Sequence, residues 1–159
     1  MVNSLNAYEK LIVEAEDENI IVKEMDFNSD LDGLYFNNKI AINKKLSSIA
    51  EKTCILAEEI GHHHKNIGNI LLQDTVDNVK QEQKAREYAY NKLVSIDNLV
   101  AAFSKNLRTT YEISDYLDVT ETFLLDSIEY YKAKYGIKVL ECNDYFVQFV
   151  PYFLIFKQL

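Results

Sequence analysis

Tryptophan is absent from this 159-residue sequence, proline occurs once and glycine four times. So few breakers, alongside many Lys, Glu and Leu, favour helix, with strands confined to particular stretches. Cysteine occurs twice, at Cys54 and Cys142. Two are too few for a disulfide framework, their separation fits no zinc-knuckle spacing, and they suit a reducing cytoplasm. Basic residues are the minority: 17 Lys+Arg against 25 Asp+Glu leave a net charge of −8. Such a chain repels phosphate backbones, so nucleic-acid binding would need a local basic patch. No apolar run approaches the roughly 20 residues of a membrane span. The opening stretch, with Asn3, Asn6 and Glu9, does not read as a signal peptide. Linkers rich in Gly, Ser or Pro, internal repeats and low-complexity tracts are missing too. What is present is apolar: hydrophobic residues make up 48%, enough for a core.

Leu5, Tyr8, Leu11, Ile12 and Ala15 recur at helical spacing and predict a first amphipathic helix over 4–16. The β-branched run 19–25 predicts a strand. Residues 33–36 and 39–42 flank Asn37-Asn38, and Asn tolerates the positive φ of a tight turn, which predicts a hairpin. A helix is expected from Ser47 or Ser48 to about His64, with Ile49, Thr53, Leu56 and Ile60 on one face. A second long helix is expected over 78–94. Three shorter ones follow over 96–104, 109–117 and 120–134, with Thr120 capping the last and Gly136 closing it. Strand-like segments around Asn143-Asp144 predict a terminal β-hairpin that packs back on the body. The expected fold is α+β: helices on a small antiparallel sheet, then a helical bundle, then the hairpin.

One segment carries chemistry. Glu58-Glu59-Ile60-Gly61-His62 reads as H-E-x-x-H with Glu in place of the first His. In that motif residues i and i+4 share a helical face and bind zinc, and the Glu between them takes a proton from the metal-bound water. Glu58 and His62 have the ligand spacing, and Glu59 occupies the general-base position. The competing reading is a solvated helix end, where cationic His is favoured by the helix dipole. His62, His63 and His64 point about 100° apart, so at most two could reach one metal.

The strand Lys39-Ile40-Ala41-Ile42-Asn43, followed by a helix with A-E-E-I-G-H-H-H and then Asn66-Ile67-Gly68-Asn69-Ile70, resembles the ImmA/IrrE family of metallopeptidase-like proteins. The likeness is to its short, phage- or prophage-encoded branch in low-GC Gram-positive bacteria. Lys84-Ala85-Arg86-Glu87-Tyr88-Ala89 is similar to the family's second signature, E-A-N-x-F-A. The resemblance implies a zincin-like domain and a cytoplasmic regulator that relieves repression by zinc-dependent cleavage of a partner helix-turn-helix repressor. Two positions depart from the family. Its first metal-binding His is Glu58 here, and its downstream ligand Glu falls on Lys84. One outcome is a Glu58–Lys84 ion pair that joins the helices without metal. The other keeps zinc on Glu58, His62 and a recruited third ligand: Glu87 first, then His63, Asp74, Asp77 or Glu82. Arg86 could contact a substrate carbonyl or pair with Glu58. The alternative function is a catalytically inactive binding module that sequesters a repressor or host regulator.

Residues 109–135 have the look of a helix-turn-helix, but a DNA reader needs Lys, Arg, Asn or Gln at the start of its recognition helix. Here that helix opens with Glu121 and carries Asp126 and Glu129, so direct nucleic-acid contact is not expected. The 11 Tyr and 8 Phe lack interleaved cations and read as packing. The expected organisation is a metallopeptidase-like domain over 1–95, a helical bundle over 96–136 and a closing hairpin over 137–159.

Overall fold

A computed structural model describes residues 4–66 and 75–159. The fold is α+β, with six helices and two three-stranded sheets among the described residues. It divides into two compact units, Met1–Ala89 and Tyr90–Leu159.

The first unit opens with α1 (Ala7–Asp17), whose N-terminus is closed by a reciprocal Asn6–Glu9 capping box. Strands β1 (Ile21–Met25), β2 (Gly33–Phe36) and β3 (Lys39–Asn43) follow. Asn37 and Asn38 both take positive φ (46° and 58°) between β2 and β3, the geometry a two-residue hairpin demands. The sheet order is β1-β3-β2, and β1 runs parallel to β3. The sheet is therefore mixed rather than antiparallel as expected: the 26–32 connection carries the chain past β3 to the far edge before the hairpin returns it to the centre. Asn43 pins that connection, donating from Nδ2 to the Leu31 carbonyl (2.8 Å) while its Oδ1 accepts from the Lys45 amide (3.0 Å). Strand alternation turns Ile40 and Ile42 inward. There they join Leu11 and Ala15 of α1 and Leu56 and Ile60 of α2 (Ile49–Asn66) in the core.

Helix α3 (Thr75–Leu93) runs through the division between the units. The second unit continues with α4 (Ile96–Ser104), α5 (Thr110–Tyr116) and α6 (Glu121–Tyr135), capped by Ser95, Thr109 and Thr120. Gly136 follows α6 with φ 56°, a conformation that suits glycine. The end of the chain is not a hairpin alone. β4 (Val139–Cys142), β5 (Tyr145–Gln148) and β6 (Leu154–Lys157) form an antiparallel sheet with β5 in the middle. It belongs to the same unit as α4–α6. α4 packs on β4 and β5, and Phe149 lies 5.3 Å from Tyr131 and 5.4 Å from Phe153, ring centre to ring centre. The buried Tyr131 hydroxyl donates to the Val94 carbonyl (2.8 Å), so its polar end is satisfied inside the core. No described helix is long and apolar enough to cross a membrane.

Candidate functional site

Helix α2 places the motif residues on two of its faces. Ile55, Glu59 and His63 are spaced by four and look toward β2. A β-carbon added to Gly33 would lie 2.5 Å from Ile55 Cγ2 and 2.7 Å from Glu59 Oε1, so the Glu59 carboxylate occupies the space that glycine leaves. Alternation turns Gly33 and Tyr35 to this side of β2. β2 is an edge strand, and the Tyr35 backbone amide donates to the Glu59 carboxylate. Burial, followed by the nearby Glu58 and Glu82 carboxylates, pushes the Glu59 carboxyl up to about 7, against the opposing pull of that amide. It is therefore poised to exchange a proton near neutral pH.

The second face meets α3. A β-carbon on Gly61 would come 2.7 Å from the Ala85 carbonyl oxygen and 2.9 Å from its Cα, so the two helices cross there backbone to backbone. That crossing fixes the phase of α3. Glu82, three residues before Ala85, comes to His62, with Oε1 3.5 Å from Nε2. Glu87, expected as the third ligand, lies about 140° around the helix from Glu82. Its Oε1 accepts from Gln83 Nε2 (3.2 Å). Lys84 is exposed, about 100° from the Ala85 contact, and Arg86 is exposed as well. Asp74 and the Asp77 side chain lie outside the described residues.

His63 and His64 join a separate network that sequence reasoning missed. The buried His63 has Nδ1 3.0 Å from the Tyr35 hydroxyl and Nε2 3.8 Å from Glu18, at the end of α1. His64 Nε2 is 3.3 Å from the same carboxylate, and its ring lies 4.9 Å from that of Tyr88. Burial, then Glu18 and Glu14, pushes the Tyr88 hydroxyl up to about 12. Nothing local in the sequence points to Glu18. Tyr35 was findable, because it shares strand parity with Gly33. Replacing Tyr35 by Phe should cost about 1 kcal/mol in a denaturant melt, because it deprives a buried imidazole nitrogen of its partner. An unchanged midpoint would show that this hydrogen bond contributes nothing net.

Zinc, which the resemblance implies, asks for three converging donors. Among the described residues, no group of three or more His, Cys, Asp or Glu side chains is arranged to hold a metal ion. Glu59 faces β2, His62 faces Glu82, and His63 faces Tyr35 and Glu18. The described donor set does not fit the ion. Compared with known proteins, the chain matches no family model and no curated protein.

Proposed function

We propose that this chain is a phage or mobile-element regulator of the ImmA-like kind that acts as a metal-free binding module, relieving repression by sequestering a helix-turn-helix repressor. One observation carries the reading: the glutamate in the general-base position spends its carboxylate on the Tyr35 amide and the space at Gly33. The residues of the degenerate motif then act as fasteners, Glu59 between α2 and β2 and His62 between α2 and α3. In this reading the first unit is zincin-like, and α5–α6 is a helix-turn-helix-like scaffold that docks protein rather than DNA. The net charge of −8 suits a partner with a basic surface, as a DNA-binding repressor presents.

The second reading is a peptidase, and the neutral-range Glu59 carboxyl favours it, because a general base works best near the operating pH. Metal content and one substitution separate the two. Binding without cleavage predicts no stoichiometric zinc in protein purified without a His tag. It also predicts full induction of the repressed promoter by Glu59→Gln, with the repressor uncut on a gel. A peptidase predicts bound metal and a fall in repressor cleavage of about 10²–10⁴-fold for that variant. Repressor fragments made by the parent and not by Glu59→Gln would refute sequestration.

A further inference from the structure

Among the described residues, no element of the first unit covers the second face of its sheet. Alternation along β1 sends Ile21, Lys23 and Met25 outward, along β2 Leu34 and Phe36, and along β3 Lys39 and Ala41. Phe36 is 67% exposed, Ile21 and Leu34 51% each, and Met25 48%. Four large apolar side chains on one side of a three-stranded sheet are a contiguous patch, not scattered singles. The registers give the patch its shape. Ala41 sits between Lys23 on one side and Leu34 on the other, so the small side chain makes a floor and its neighbours make walls. The result is an open trough of about 310 Å³.

Its charge runs against that of the chain. Lys23 and Lys39 both line the trough, and no carboxylate does so among the described residues. Lys39 stands between Ile21 and Phe36 in the register, so its ammonium rises through the apolar surface. A protein of net charge −8 here presents apolar walls with two cations.

We propose that this trough is the docking site for an amphipathic helix of another protein, with an apolar stripe flanked by Asp or Glu. A helix laid across a sheet is the usual way such a face is covered. A peptide strand would instead add at the β1 or β2 edge, leaving this face uncovered, and at the β2 edge the Tyr35 amide is taken by Glu59. A second copy stacked face to face would set Lys23 and Lys39 near their own counterparts, like charge on like. An anionic membrane would have to overcome the net charge of the whole chain. The proposal does not depend on the repressor reading above.

The test is selection of a displayed library of helical peptides on the full chain, counter-selected on a Leu34→Ser/Phe36→Ser variant. Enriched peptides should carry apolar residues at i, i+3/i+4 and i+7 with acidic flanks. Each should bind the parent at least about tenfold more tightly than the serine variant. The charge-reversed variant Lys23→Glu/Lys39→Glu keeps the apolar walls and should switch the selected flanks to Lys or Arg. Enrichment without acidic flanks, flanks that survive the charge reversal, or no enrichment over the serine variant would each overturn the proposal. So would binding to phosphatidylglycerol vesicles, or a sedimenting dimer, that Phe36→Ser abolishes. The first would make the trough a lipid contact, and the second a self-association face.

Discussion

Replacing Gly61 by Ala should destabilise the first unit by about 1–3 kcal/mol, the usual cost of overpacking a tight contact. The direction is informative because intrinsic propensity points the other way. At an exposed position inside a helix, Gly→Ala gains about 1 kcal/mol. Here the added methyl would sit 2.7 Å from the Ala85 carbonyl oxygen and 2.9 Å from its Cα. Both are backbone atoms, which cannot rotate aside as a side chain can, so the helices must move apart. His62 is the next residue on α2, and its 3.5 Å approach to Glu82 would open with the crossing. Trimming the partner should not help: Ala85→Gly removes a methyl that is not the obstacle, so the double variant should remain as unstable as Gly61→Ala or become less stable. Chemical denaturation of the three proteins tests this. A stabilised Gly61→Ala would mean that α2 and α3 do not touch at this point.

That crossing also marks the boundary of what could be read from the sequence. Local features were legible wherever the cause was local. Thr120 caps α6, the Asn37-Asn38 pair turns the hairpin, and Gly136 takes the positive φ that ends α6. The parallel pairing of β1 with β3 was not legible, because 13 residues separate Met25 from Lys39 in the chain, and only tertiary packing brings such strands together. The third strand of the terminal sheet was hidden by Pro151, which interrupts the strand-like run before Leu154. That Glu82 rather than Glu87 meets His62 is a matter of helical phase. α3 has buried Ala85 and Ala89, and the stripe they define includes position 82 by helical spacing. Alignment to a family signature favoured Lys84 and Glu87 instead. The Ala85–Ala89 stripe, read without the signature, would have selected Glu82.

Stability should fall as pH rises from about 5 to about 7, and Glu59→Gln should remove most of that fall. The Glu59 carboxyl stands at about 7 in the folded chain against an ordinary value of 4.5. Below the ordinary value both folded and unfolded chains hold the proton, and Glu59 costs nothing. Between the two values the unfolded chain releases its proton while the folded chain keeps it, so each step up in pH favours unfolding. Above about 7 both forms are ionised and the full penalty is in place. At 1.36 kcal/mol per pH unit the shift corresponds to at most about 3 kcal/mol, and partial access of water to a half-buried carboxylate brings the expected penalty to about 2 kcal/mol. Glutamine fills the same space at Gly33, and its Oε1 still accepts from the Tyr35 amide. It carries no charge to bury and none to oppose Glu58 and Glu82. The variant should therefore match the parent at pH 4.5 and exceed it by about 2 kcal/mol at pH 8. Denaturant midpoints of both proteins across that range measure it directly. Parallel curves would mean that Glu59 is hydrated in solution, and its contact with the edge of β2 would then have to be abandoned.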